Sequence, residues 1–206
     1  PVVLRNVKIT KIDPGEMVLA IQESFVYFIP TIATAIYSMI DKTMLGIFDS
    51  TKISTGLYEA AEKLVKVALA VSTSSFTIMR TRMSYLYGQK DREVYKKYSQ
   101  IFISLSMILC WPIMFGIMGI AKDFVPLFFG EGFEAVVGYS NIFALVVPCL
   151  TVSGLLQAIY IFPYGLQKIM DYYYIIIVTV NVVMNYVLIQ LIGTPGAIIS
   201  SICAEL

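Results

Sequence analysis

Histidine is absent from this 206-residue sequence, tryptophan occurs once, cysteine three times, and charged residues make up only 14%. Without imidazole there is no His-based acid–base catalysis, no His-ligated metal site and no His pH sensing. Cys110, Cys149 and Cys203 lie far apart, each in an apolar run, and read as small buried hydrophobes rather than a disulfide set or metal knot. Soluble domains carry about 25% charged residues; 15 basic and 14 acidic side chains are too few to coat a water-soluble globule of this length. A formal net charge of +1 gives no global pull on polyanions. No glycine-rich GxxxxGK loop is present, so direct ATP use is not indicated. These absences exclude disorder, a nucleic-acid module and most cytosolic enzymes, and no cofactor or metal is expected.

What remains is apolar: 58% hydrophobic residues and a mean hydropathy of +0.77. A spanning helix needs about 20 mostly apolar residues. Candidate spans cover about 17–40, 55–79, 99–121, 139–162 and 172–192, and 197–206 reads as a sixth that the chain truncates. Pro112 and Pro148 predict kinks within the third and fourth. The segment 124–133 reads as a short aromatic stretch at the outer surface, broken by Pro126, Gly130 and Gly132. No stretch alternates with the period of a barrel strand. The expected fold is therefore an all-α, multi-pass membrane helix bundle. Residues 1–16 are polar, lack a secretory signal and read as a cytoplasmic linker arm, and the chain reads as a piece of a longer protein.

Orientation follows from where Lys and Arg collect. Arg5, Lys8 and Lys11 in the arm, Arg80, Arg82, Lys90, Arg92, Lys96 and Lys97 after the second span, and Lys168 after the fourth share one side. They outnumber Lys42, Lys52, Lys63, Lys66 and Lys122 on the other, which places the N-terminal arm in the cytoplasm. The basic run 92–97 is a topogenic loop, not a nucleic-acid patch.

Ionisable groups at membrane depth cost at least about 2.5–3.5 kcal/mol each and persist where they face water or one another. Three places qualify: Glu23, the pair Asp41-Lys42, and Glu59, Glu62, Lys63 and Lys66. At about 100° per residue the last four form a stripe about 100° wide, opposite Ala60, Ala61, Leu64 and Val65. Glu59–Lys63 and Glu62–Lys66 are i,i+4 pairs in the favourable order. The stripe could be the outer end of an amphipathic helix in bulk water. However, a membrane that began only after Lys66 would leave 67–79, about 20 Å, to cross a core of about 30 Å. That shortfall places at least Lys63 and Lys66 at membrane depth. The stripe sums to zero charge, as does Asp41-Lys42, so any anion would be met by individual Lys heads whose carboxylates let go.

The run Ile29-Pro30-Thr31 … Tyr37-Ser38-Met39-Ile40-Asp41-Lys42-Thr43-Met44-Leu45-Gly46 resembles the opening helix of the second half of the polysaccharide flippases, members of the multidrug/oligosaccharidyl-lipid/polysaccharide exporter superfamily. Gly56-Leu57-Tyr58-Glu59-Ala60-Ala61-Glu62-Lys63, Arg82-Met83-Ser84-Tyr85-Leu86-Tyr87, Leu127-Phe128-Phe129-Gly130-Glu131-Gly132-Phe133 and Asn181 … Asn185-Tyr186 follow in order. One departure is Thr81, where the family pattern has Pro. The resemblance implies one six-helix lobe of a two-lobed exporter, this chain supplying 17–206 of the second lobe, in a bacterial cytoplasmic membrane. It implies a substrate, an undecaprenyl-pyrophosphate-linked oligosaccharide of O-antigen, capsule or exopolysaccharide, moved outward by alternating access. Its partners would be that lipid-linked oligosaccharide, membrane lipid and the N-terminal lobe, without which the chain is not expected to transport. Carried over, Asp41, Lys42, Glu59 and Lys63 line the cavity and Arg82 lies at its cytoplasmic mouth.

For such a substrate Lys42, Lys63 and Lys66 could supply charge, while Tyr37, Ser38, Gln157, Tyr160 and Asn181 could contact sugar hydroxyls or serve interhelical packing. Two other functions compete. In an ion-coupled multidrug exporter, Asp41 or Glu59 would take up H⁺ or Na⁺; the Lys close to nearly every intramembrane carboxylate counts against it. A membrane enzyme acting on lipid-linked glycans would need a carboxylate pair on a wet loop, where only Asp91 and Glu93 stand amid basic residues.

Overall fold

The computed structural model describes residues 39–49 and 51–206, with isolated positions 15, 17, 18 and 35 before them. Glu23, Tyr37, Ser38, the arm 1–16 and most of the first expected span lie outside the described residues.

Every regular element among the described residues is helical. α1 (39–48) ends at Asp49, whose carboxylate accepts from the Thr51 N–H at 2.9 Å, the Thr51 hydroxyl at 2.6 Å and the Ser54 N–H at 3.0 Å. Those bonds answer orphan donors at the start of α2 (Ile53–Gly88), which Lys52 enters in a left-handed conformation at φ 59. α2 has 36 residues, about 54 Å at 1.5 Å per residue; the part beyond Lys66, 67–88, is about 33 Å and long enough to cross a core of about 30 Å, so the expected shortfall that placed Lys63 and Lys66 at membrane depth does not arise. Its inward face carries Tyr58, Ala61, Val65, Leu69, Ser72 and Phe76 at three- and four-residue spacing.

α3 (Arg92–Phe129) starts where the Asp91 carboxylate caps the Val94 N–H at 3.1 Å, and continues past the expected 99–121. It takes up the aromatic stretch through Pro126 as its last turns and stops at Gly130 (φ 84), a conformation that glycine adopts freely. The rings of Phe124, Phe128, Phe129 and Phe133 stand in a row there, 5.0–5.4 Å apart.

Two prolines shape the next span. α4 (Glu134–Ala144) and α5 (Val146–Leu156) are separated at Leu145, whose N–H bonds to the Ile142 carbonyl. Pro148, four residues beyond Ala144, supplies no N–H to the Ala144 carbonyl and its ring crowds that group. Further along, α5 widens into a π-helical turn (Gln157–Ile161) just before Pro163. The Ile159 carbonyl, which Pro163 cannot serve, accepts instead from the Tyr95 hydroxyl of α3.

α6 (Gln167–Ile192) and α7 (Thr194–Glu205) form a tight hairpin over Gly193. A Cβ built at Gly196 would come within 2.2 Å of the Leu188 carbonyl oxygen, so only glycine lets these two backbones approach.

One apolar core joins Leu45, Tyr58, Val65, Met114, Val125, Phe143 and Ile198. A smaller one at the other end of α2 joins Phe76, Phe102, Leu155, Ala158 and Ile159. The outside is apolar too, with Ile108, Leu127, Ile176 and Leu191 all widely exposed. Arg92–Phe129, Glu134–Ile161 and Gln167–Ile192 are each long and apolar enough to cross a membrane. A bundle apolar inside and out is a membrane bundle, and the expected all-α class holds.

Candidate functional site

Of the seven charged residues Asp41, Lys42, Glu59, Glu62, Lys63, Lys66 and Arg82, the first six come together where α1 meets the first turns of α2. They form two systems. Lys42 and Asp41 are adjacent on α1, about 100° apart around its axis, and so turn to different neighbours. The Lys42 Nζ lies 2.8 Å from Glu62 Oε2 and 3.9 Å from Glu59 Oε1. Lys63 reaches Glu59 at 3.2 Å and Lys66 reaches Glu62 at 2.7 Å, the two i,i+4 pairs the spacing predicted. Two carboxylates are thus shared among three ammonium groups, which leaves the network with one surplus positive charge. Its Lys heads are unequal: Lys63 and Lys66 are exposed, whereas Lys42 is only 27% exposed and Glu62 is nearly enclosed at 11%.

Asp41 corrects one expectation. It does not pair with Lys42 or any other cation among the described residues; it is buried and met by neutral donors from three helices. The Tyr58 hydroxyl of α2 donates to Oδ2 at 2.8 Å. Ser201 Oγ of α7 lies 2.7 Å from the same oxygen and 3.0 Å from the Ala197 carbonyl. The Asn185 amide of α6 gives one N–H to Asp41 Oδ1 at 2.5 Å and the other to Asn181 Oδ1 at 3.0 Å. Phe143 closes the cage, its ring edge-on to Tyr58 at 5.1 Å. Asn181 and Asn185 are fully buried, and Asn181 Nδ2 and Asn185 Oδ1 find no partner among the described residues. The Asn181 side chain thus bonds within its own helix, while its backbone carbonyl accepts from Ser200 Oγ of α7 at 2.9 Å. A buried carboxylate met only by neutral donors is a group that can take up a proton; among the described residues no cluster of three His, Cys, Asp or Glu offers a multivalent metal site.

A cavity of about 190 Å³ touches both systems: Asp41, Tyr58 and Ser201 line it from the cage, and Glu62 and Lys66 from the ion network.

The charged stripe does not end at Lys66. Thr73, Thr77, Thr81 and Ser84 are all exposed, and at about 100° per residue they share an arc about 80° wide with Glu59, Lys63 and Lys66. Each hydroxyl donates backward to a carbonyl of its own helix: Thr73 to Ala70, Thr77 to Thr73, Thr81 to Thr77 and Ser84 to Arg80. That pattern spends the donor and leaves the oxygen lone pairs open. From Glu59 to Ser84 the polar face runs about 37 Å, the thickness of a membrane core and more. Sequence reasoning stopped at the charges; the same angular count applied to the hydroxyls finds the rest.

Arg82, the seventh residue, stands apart. It lies 16 positions beyond Lys66, about 24 Å along the axis, and on another face, with its guanidinium over the rings of Tyr98 at 5.3 Å and Tyr85 at 5.7 Å. Its neighbour Arg80 is the one that turns inward, donating to Gln157 Oε1 at 3.2 Å and stacking 3.9 Å over the Phe162 ring. Gln157 is thereby engaged, and Tyr160 is exposed.

Residues 18–138 match the model of a family described as polysaccharide biosynthesis protein, more than half of the chain and the whole stretch that carries the α1–α2 network. No curated protein and no solved structure matches the chain.

Proposed function

Because this chain belongs to the polysaccharide biosynthesis protein family and folds as an all-α membrane helix bundle, we propose that it is one lobe of a flippase that carries a lipid-linked oligosaccharide outward across the cytoplasmic membrane by alternating access. The observation that supports this most is the polar face of α2. A flippase must hide a doubly charged pyrophosphate and a glycan from hydrocarbon while the prenyl tail stays in lipid. Lys63 and Lys66, exposed and sharing their carboxylates with Lys42, can turn to a phosphate without stranding a buried charge. The hydroxyls of Thr73, Thr77, Thr81 and Ser84 present acceptor oxygens to sugar hydroxyls along the rest of the path. On this reading α2 lines a wet passage that a second lobe closes, with 1–16 and the α2–α3 turn at the cytoplasmic side.

The test is outward translocation of labelled repeat unit by the full-length protein carrying Lys42→Ala or Lys63→Ala. Transport should fall at equal protein level, and wild-type transport in both variants would remove the charge-contact mechanism.

One observation favours a second reading, an ion-coupled multidrug exporter of the same superfamily: Asp41 is a buried carboxylate with no cationic partner among the described residues, suited to taking up H⁺. Drug-resistance profiles of cells expressing the full-length protein separate the two, since a flippase confers no resistance.

A further inference from the structure

We propose that the turn between α2 and α3 holds a separate receiving pocket for a glycosylated lipid phosphate, far down α2 from the Lys–Glu network. This rests on the flippase reading for its ligand class, and on its own geometry for its existence. The pocket has a volume of about 650 Å³ and is lined by Tyr87, Lys90, Asp91, Arg92, Tyr95 and Tyr164. That volume is in the range of small-molecule sites.

One wall is aromatic and fixed. The Tyr87 ring packs 4.4 Å from Tyr164 and 6.0 Å from Tyr95, and Tyr95 is anchored through its hydroxyl to the Ile159 carbonyl that Pro163 leaves free. Tyr87 and Tyr164 nevertheless keep nearly half of their surface open, 42% and 48%. The lining also carries cations. Lys90 and Arg92 are exposed and have no ion-pair partner among the described residues. The carboxylate between them, Asp91, caps the start of α3 through the Val94 N–H and forms no ion pair with either; its charge stays beside them, which leaves these three lining residues at a net +1 and the helix end already occupied.

A lysine and an arginine lining one pocket can meet a phosphate, Arg by two parallel bonds and Lys as a point charge. An open tyrosine face packs against the apolar C–H face of a pyranose. A phospholipid headgroup would use the cations and leave the rings idle; a sugar joined to a phosphate uses both. The last turn of α2, which lines the pocket, directly follows Ser84, where the polar face of α2 ends. A glycolipid held there by its phosphate would enter the passage glycan first.

The test is equilibrium binding to the full-length protein in phosphatidylcholine nanodiscs. The probes are a short-chain prenyl pyrophosphate bearing N-acetylglucosamine and the same prenyl pyrophosphate without sugar, each measured with and without phosphatidylglycerol in the disc. Lys90→Ala combined with Arg92→Ala should weaken both probes about tenfold or more. Tyr87→Leu should weaken only the sugar-bearing probe, and Tyr87→Phe, which keeps the ring, should restore it. These side chains are exposed, and an unchanged melting temperature checks that the variants fold. No effect of the double substitution overturns the site. Full displacement by phosphatidylglycerol with no effect of Tyr87→Leu overturns the ligand class and leaves a phospholipid site. Normal transport in both Lys42→Ala and Lys63→Ala, with probe binding at the turn intact, counts against the function reading alone, because binding at the turn is read without transport.

Discussion

Asp41 and Glu62 are both buried carboxylates on neighbouring helices, yet they are answered in opposite ways. Glu62 sits between two ammonium groups, the half-buried Lys42 and the exposed Lys66, at the edge of the open face of α2. Asp41 sits among a phenol, a serine hydroxyl and an amide contributed by α2, α7 and α6. The first arrangement joins two helices by charges that water can screen and a ligand can replace. The second joins four helices by short bonds in a closed space, where an unmet donor is costly. The ion network is thus built to be opened and the cage to hold the bundle together.

The largest effect should come from Asp41→Ala. It strands the Tyr58, Ser201 and Asn185 donors together and should cost about 3 kcal/mol or more, read as a lower melting temperature of the purified protein. Asp41→Asn, which keeps an acceptor oxygen, should recover part of it. Glu62→Gln ranks next, at about 1–2 kcal/mol, because the half-buried Lys42 loses its closer carboxylate. If Glu62→Gln proved as damaging as Asp41→Ala, the contrast between the two sites would fail. Lys63→Ala should change stability by no more than about 0.5 kcal/mol, since its pair with Glu59 is exposed, while lowering transport several-fold. Thr77→Val should leave stability within about 0.5 kcal/mol, because Thr77 is exposed, and on the flippase reading should still slow transport.

The smallest effect concerns the exposed turn before α2. Hydrogen bonds from Ser54 and then Thr51 hold the Asp49 carboxyl well below the usual carboxylate range. A depressed folded value means the contribution is present above the unfolded value near 3.8 and is lost as pH falls below it. Asp49→Asn should therefore flatten the acid limb of the stability profile, leaving the protein slightly less stable than the wild type at neutral pH and equal to it in acid, as a pH series of melting curves would show.

Much of this was legible in the sequence because it is local. The stripe of Glu59, Glu62, Lys63 and Lys66 follows from helical period alone, and both i,i+4 pairs form. The membrane bundle follows from charge-poor runs of the right length. The hydroxyl continuation to Ser84 obeys the same period and escaped notice only because uncharged residues raise no alarm in an apolar helix. The cage was not legible. Asp41 meets Asn185 and Ser201 across 144 and 160 residues, and nothing in the pair Asp41-Lys42 tells that their side chains part. The break at Leu145 and the π-helical turn before Pro163 show why proline position predicts that a helix yields, and not how. One span splits in two at the first proline; at the second the helix widens and borrows a tyrosine hydroxyl.

The central claim, that the polar face of α2 borders water inside the membrane, is tested most directly by thiol accessibility. Thr77→Cys would be introduced into full-length protein whose Cys110, Cys149 and Cys203 are replaced by alanine. A membrane-impermeant maleimide should label position 77 in intact membranes, while Ile108→Cys on the lipid-facing side of α3 stays unlabelled. Equal refusal of the reagent at both positions, in every state the protein can be driven into, would contradict the passage.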